Sequence, residues 1–421
     1  MKTMPTVLAA LMLAAGLTTT AARAADDPIK ILFVGNSYTF GRVDPVMSYN
    51  AANVHDLTAG FYAVNQTGTN PWEPHPWGGV PGIFKQMTVE AGLNYDVSIS
   101  ARNAATLRGQ FLQTTTGWNM RENVASQDWG VVVLQEQSDA ALPAGKGKNA
   151  NAAQFQAYAN QFEKFIHNGS AQSYTETQLY GGLDACKATG LSAASCNMVR
   201  NIPANTNADA NTKVYLTDTW ARPDMAFAHK NIVSDPNTPD GAPIVDTSGG
   251  PNGTAATLYY SNLQDMTTDL HNTIYGVAAA NPNFAGVVAA GDAFQRAMNS
   301  GLAMSSGFYD ANGVFVPASS TGPIDLFWKD GLHASMYGSY LDALVQFGTI
   351  TGVDPLSLGV GEQAAKDLGI DATTALALEH VASQQLGFTA AVPEPSTWAL
   401  LGAGLGFIGL RSRRQQRRQA R

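Results

Sequence analysis

The strongest signal along the chain is a set of short, unbroken apolar runs that stop at polar turn residues. Ile31-Leu32-Phe33-Val34 stops at Gly35-Asn36-Ser37, and Val131-Val132-Val133-Leu134 stops at Gln135-Glu136-Gln137-Ser138. Runs this short, without alternation, mark strands buried on both faces, as in a parallel sheet. Five strands are expected, at 30–35, 95–100, 131–135, 213–219 and 284–290. Helical periodicity lies between them at 81–91, 152–167, 258–280 and 336–351. In 152–167, Phe155, Tyr158, Phe162 and Phe165 fall on or near one face. Asp44–Ala51 reads as a helix start, and Asn103–Leu107 turns into another helix. Residues 54–80 read as a loop whose Trp72, His75 and Trp77 either wall a substrate or pack beneath it. Strands alternating with helices predict an α/β fold with a parallel sheet of about five strands and helices on both faces. The polar strand ends would then converge on one rim, where ligands bind in open α/β sheets.

Two stretches break this rhythm. Residues 168–211 turn to Gly, Ser, Asn and Ala, and 232–256 to Pro, Gly, Asn and Asp; both read as surface insertions. Cys186 and Cys196, the only cysteines, lie in the first and are expected to pair as a loop staple in an oxidising compartment. Residues 304–323 read as irregular, and 362–386 as one or two surface helices.

The ends read as addresses. A basic start, an apolar run from Val7 to Leu17 and Ala22-Arg23-Ala24 make residues 1–24 a secretory signal peptide. Val392-Pro393-Glu394-Pro395-Ser396-Thr397 precedes a 13-residue apolar span, Trp398–Leu410, and then six arginines. That span is shorter than the ~20 residues of a comfortable membrane crossing. The basic end would stay cytoplasmic, with the body outside the inner membrane. The three parts in this order resemble the PEP-CTERM sorting signal of Gram-negative bacteria that make extracellular polysaccharide. The resemblance implies transient anchoring in the inner membrane, processing by an exosortase-type peptidase, and delivery to the periplasm, outer surface or matrix.

Charge narrows the partners. The chain carries 25 basic and 33 acidic residues. Two of the basic residues precede residue 25 and six follow residue 410, with no acid in either segment. The body therefore keeps 17 basic against 33 acidic residues. That balance argues against nucleic acid, which requires basic patches.

The chemistry is read at Asp330-Gly331-Leu332-His333. An Asp three residues before a His can accept the Nδ1–H and fix the tautomer, leaving the other nitrogen to take a serine proton. Alone, Asp-x-x-His is equally a loop Asp beside a surface His, and Asn36-Ser37 equally a turn or helix cap. Together, a serine at the first strand end and Asp-x-x-His before the last core helix resemble the SGNH/GDSL hydrolase superfamily. Gly35-Asn36-Ser37-Tyr38-Thr39 is similar to its first block, with Asn36 in place of Asp. The similarity runs over roughly residues 29–352. It implies a flavodoxin-like three-layer α/β/α fold, with Ser37 as nucleophile, His333 as base and Asp330 as its orienting acid. The middle blocks depart from the pattern. Asn103-Ala104-Ala105-Thr106-Leu107 lacks the second-block Gly, and Gln135-Glu136-Gln137-Ser138 stands for the third. These variants, with Thr219–Pro223 and Gly291–Phe294, look like an uncharacterised branch of the superfamily.

An oxyanion hole in this setting would draw on the Ser37 N–H, an N–H near Ala104, and a side-chain amide from Gln135 or Gln137. Glu136 caps a helix, pairs with Arg222 or faces substrate. Tyr38, Glu136 and Trp220 are pocket candidates, and Asp292 reads as a turn or cap residue. The other histidines, 55, 75, 167, 229, 271 and 380, show no His-x-x-x-His spacing, so neither metal nor cofactor is expected. The chain thus divides into a signal peptide (1–24), a hydrolase domain (25–355), a helical extension (356–390) and the sorting tail (391–421). The implied activity is a secreted serine esterase that removes acyl, especially acetyl, groups from carbohydrate. The alternative is a non-catalytic protein of the same fold that binds glycan or matrix.

Overall fold

Strand β1, Ile29–Gly35, lies at the centre of a six-stranded sheet, and its residues Ile31–Val34 are almost entirely buried. The computed structural model describes residues 27–42, 44–64, 73–113, 118–231, 250–251 and 253–388. Along the chain follow β2 (His55–Asp56), β3 (Tyr95–Ala101), β4 (Val131–Leu134), the pair β5 (Gln172–Thr175) and β6 (Val199–Ile202), then β7 (Lys213–Thr217) and β8 (Phe284–Val288). The main sheet has the order β2-β3-β1-β4-β7-β8, and every pairing in it is parallel. It has one more strand than the apolar runs predict, because β2 is a two-residue edge strand inside the expected loop 54–80. A strand paired on both sides and covered on both faces has no polar face to show, which explains the unbroken run in β1.

The helix Gly79–Glu90 packs against β3 and against the helix Met336–Thr351, which also meets Ala290–Asn299 and Ala372–Gln385. The helix Ala152–His167 packs against Leu107–Phe111 in the other outer layer. Phe155, Tyr158, Phe162 and Phe165 are its buried stripe, as the periodicity requires. Fully burying such a side chain contributes roughly 1.5–3 kcal/mol. From β1 the chain moves to one side of the sheet, through β2, the helix Gly79–Glu90 and β3, then returns past β1 to β4 and continues outward. The crevice at the carboxyl end of β1 is therefore the point where chain direction reverses. Register brings the rim level, with Gly35 opposite Ala101 and Val34 opposite Leu134, which in turn faces Leu216.

Local expectations needed correction in four places. Asp44–Ala51 starts no helix, because the Asp44 carboxylate accepts the Ser48 N–H and hydroxyl and closes a turn; a single helical turn follows at Ala51–Asn53. The expected helix 258–280 begins at Leu263, where the Asn262 side chain accepts the Asp265 N–H at 2.8 Å. Asp292, read as a turn or cap residue, lies inside the first turn of the helix Ala290–Asn299, whose cap position is Ala289. Within 54–80 a helix, Ala59–Val64, also forms. Trp77 in that stretch is buried and stacks on Phe40 at 3.8 Å, so it packs beneath the loop. Trp72, the signal peptide, most of 232–256 and the sorting tail lie outside the described residues.

The 168–211 insertion carries the antiparallel β5–β6 pair and the Cys186–Cys196 disulfide. It is fixed to the body by a buried carboxylate: Glu176 accepts from Arg108, Arg200 and the Tyr158 hydroxyl. Burial would raise the Glu176 carboxyl, but these donors outweigh it and hold it at about 2. Among the described residues no helix is long and apolar enough to cross a membrane.

Candidate active site

The turn after β1 is built around Asn36 and Gly35. Asn36 Oδ1 accepts the Tyr38 N–H at 3.1 Å and so caps the short helix Ser37–Phe40. Its Nδ2 donates to the Ala105 carbonyl at 3.2 Å and the Glu136 carbonyl at 3.3 Å. An amide suits this position because it donates and accepts at once; an ionised Asp would set a charge against two carbonyl oxygens. At Gly35 any Cβ would collide with Thr39 Oγ1. Ser37 thereby occupies the first position of the helix, where a backbone N–H has no intrahelical partner.

The second half of the site is the turn Asp330–His333. Asp330 Oδ1 accepts the N–H groups of Leu332 and His333, both at 2.9 Å. Gly331 has φ +64°, the left-handed region that favours glycine, and a Cβ there would strike the Tyr309 hydroxyl. Neighbouring elements hold the turn: Trp220 Nε1 donates to the Leu332 carbonyl at 3.0 Å, and the Trp328 N–H to the His333 carbonyl at 2.8 Å.

The two halves meet in one line of hydrogen bonds. Asp330 Oδ2 lies 2.6 Å from His333 Nδ1, and His333 Nε2 lies 2.8 Å from Ser37 Oγ. Ser37 is 6% exposed, and His333 and Asp330 are each 4% exposed. Burial pushes the Asp330 carboxyl up, but His333 and the two N–H donors outweigh it, so the group is held below its ordinary value. An ionised Asp330 only accepts, which places the proton on Nδ1 and leaves Nε2 with a lone pair facing the serine hydroxyl. For His333, burial disfavours the charged ring, Asp330 opposes that, and the Arg42 and Arg222 guanidiniums add to it; the net shift is downward. Such an imidazole is neutral at neutral pH and positioned to take a proton from Oγ.

The residues expected around this line fall into two groups. Ala104 lies in the turn after β3, exposed and at φ +55°, the backbone region that a glycine adopts freely. Its neighbour Ala105 is bonded to Asn36, so this turn stands beside Ser37. Gln135 differs from expectation. Its Oε1 accepts the Asn36 N–H at 3.2 Å and the Thr39 hydroxyl at 3.0 Å, and its Nε2 donates to the Glu136 carbonyl. The amide is turned under the serine turn and is not aimed at the reaction side. Gln137, the alternative donor, directs its Nε2 at Ser138 Oγ.

The pocket candidates are also support. Glu136 Oε1 accepts the N–H groups of Leu107 and Gln137, at 3.0 and 2.6 Å, so it secures the start of the helix Leu107–Phe111. It does not pair with Arg222. Trp220 is sandwiched between Tyr38 and Phe294, with ring centroids at 4.0 and 4.7 Å, and all three are buried. The aromatic stack thus stands behind His333. Arg222 is the feature that spacing alone did not reveal. It is buried, with Nε on Asp224 at 3.0 Å, Nη1 on Ser138 Oγ at 2.8 Å, and Asp139 at 3.5 Å. Its sequence cue is the Thr219–Pro223 stretch, which continues into Asp224.

Residues 391–415 match the PEP-CTERM protein-sorting motif. The tail is a PEP-CTERM sorting signal. It indicates export through the sorting system of Gram-negative bacteria. A comparison with curated proteins finds no match. Solved structures similar to the chain include a DUF4886 family protein from Bacteroides uniformis, at 12% identity and TM-score 0.38, covering 86% of this chain and 96% of that one. A candidate SGNH hydrolase from Slackia heliotrinireducens is similar at 15% identity and TM-score 0.33, covering 77% and 100%. An acetyl xylan esterase from Geobacillus stearothermophilus is similar at 16% identity and TM-score 0.30, covering 77% and 95%.

Glu136 yields a stability test. Burial raises its carboxyl to about 8 against the ordinary 4.5, with the two N–H donors and Asp139 as smaller influences. The folded chain then holds a proton that the unfolded chain releases, so stability falls as pH rises from about 4.5 through about 8. Glu136→Gln, which keeps the acceptor oxygen, is expected to flatten that fall in melting temperature. An unchanged slope would place the titration elsewhere.

Proposed function

We propose that this chain is an exported serine ester hydrolase using Ser37, His333 and Asp330. The observation that carries the reading is the continuous line of hydrogen bonds from Asp330 through His333 to Ser37 Oγ. Ser37 Oγ attacks the ester carbonyl carbon while His333 Nε2 takes the hydroxyl proton. Asp330 holds the ring and stabilises its charged form. The developing oxyanion is met by the Ser37 N–H and by a backbone N–H of the Ala104 turn, a hole of two backbone donors. Collapse breaks the C–O bond to the alcohol, which leaves with the proton from His333. Water then attacks the acyl-serine, His333 takes its proton, and the carboxylic acid departs with Ser37 restored.

The substrate we favour is an O-acetylated carbohydrate. Two points support it: the sorting tail's association with polysaccharide-making bacteria, and the small exposed area of Ser37, which suits a short acyl group. Residues 1–24 act as the signal peptide, and the apolar part of the tail anchors the chain in the inner membrane until an exosortase-type peptidase removes it. The hydrolase then works in the periplasm, on the outer surface or in the matrix. The division into a body at 25–355 and a helical extension at 356–390 belongs to the same reading.

Hydrolysis of p-nitrophenyl acetate by the purified protein tests this. Ser37→Ala is expected to lower kcat/KM by ~10³-fold or more, with the fold intact. Activity that survives the substitution would remove Ser37 from the mechanism; a folded wild type with no activity on acetyl esters would favour the glycan-binding alternative. The pH profile gives a second check. Only neutral His333 accepts the proton, and its pKa lies below the ordinary 6.5, so the acidic limb of kcat/KM should have its midpoint below 6.5. A midpoint above that value would contradict the electrostatics of the site.

A further inference from the structure

Beyond the serine line, the carboxyl ends of β7 and β8 bring together Asp218, Asp292 and His271 from three separate segments. One ligand atom from each lies within 4.8 Å of the others. His271 Nδ1 is 2.9 Å from Asp292 Oδ2, which also accepts the Tyr275 hydroxyl at 3.2 Å. Asp218 is fully buried; its Oδ2 accepts the Asp292 N–H at 3.1 Å, and its Oδ1 has no hydrogen-bond partner. Among the described residues no lysine or arginine forms an ion pair with either carboxylate.

This arrangement is costly for a protein on its own. Two carboxylates side by side repel, and a buried acceptor left unmet costs about 1–3 kcal/mol. A divalent cation would resolve both, because it supplies two positive charges and takes up the free lone pair. One imidazole with two carboxylates is a donor set for a first-row ion such as Zn²⁺. Ligand atoms spread over at most 4.8 Å would close onto bonds of about 2.0–2.2 Å by side-chain rotation. A fourth position would be open to water on the exposed side, since the His271 side chain is 42% exposed.

We infer that Asp218, Asp292 and His271 form a binding site for a divalent transition-metal cation, with Zn²⁺ as its probe. The site is separate from Ser37. It would join the ends of β7 and β8, immediately before Thr219-Trp220, and so stiffen the support on which the His333 turn rests. The expectation that no metal is bound came from local spacing, which cannot detect ligands drawn from residues 218, 271 and 292.

The test is calorimetric titration of ZnCl₂ into the purified, EDTA-dialysed protein, with melting temperatures taken with and without the metal. The expected result is saturable one-to-one binding and a higher melting temperature with Zn²⁺. His271→Gln and Asp292→Asn should each weaken binding by about tenfold or more. His271 is partly exposed, so its variant should melt like wild type in EDTA and keep the comparison valid. No saturable binding by the wild type, or equal binding by both variants, would overturn the assignment.

Discussion

The hydrogen bond from Ser37 Oγ to His333 Nε2 joins residues 296 positions apart at 2.8 Å, and the rest of the structure maintains it. Each partner is held from its own side. Asn36 and Gln135 knit the serine turn to the ends of β3 and β4. Asp330, Gly331 and the Trp220 indole fix the histidine turn. Trp220 in turn stands on Phe294, which belongs to the helix after β8. The sheet's register brings all these strand ends to one level, so the alignment of the parallel strands is itself a condition of the bond.

Electrostatics and burial act on the same pair in a consistent direction. Enclosure disfavours a charged His333, and two buried guanidiniums, Arg42 and Arg222, disfavour it further. The ring therefore rests neutral and becomes charged only when it takes a proton, a charge that Asp330 is placed to stabilise. The arginines are held by acids of their own, Glu73 for Arg42 and Asp139 and Asp224 for Arg222. Truncating one member of such a buried set leaves an uncompensated charge, so these residues matter to the site without touching the reacting atoms.

What the sequence displays is what local physics determines. The buried strands β1, β4 and β7 are legible because both of their faces are apolar. Helix 152–167 is legible because its buried stripe repeats at 3.6 residues. Ser37, Asp330 and His333 are legible as a set, since each stands in a short motif at an element boundary. Strand β2 is not, because two residues at a sheet edge leave no pattern. The direction of a side chain is also hidden. Gln135 reads as a donor to the reaction, but its position directly after β4 turns its amide toward Asn36 and Thr39. Glu136 faces the start of the next helix for a similar reason. Asp218, His271 and Asp292 are invisible as a group because only the fold brings them together.

The central claim is that Ser37 is a nucleophile activated by His333, and the most direct measurement is covalent capture. A fluorophosphonate transfers its phosphonyl group to an activated serine oxygen, with loss of fluoride. After labelling and trypsin digestion, mass spectrometry should find one adduct, on Ser37 within the peptide Ile31–Arg42, and His333→Ala should abolish it. An adduct on another residue, or labelling of Ser37 that persists without His333, would contradict the account.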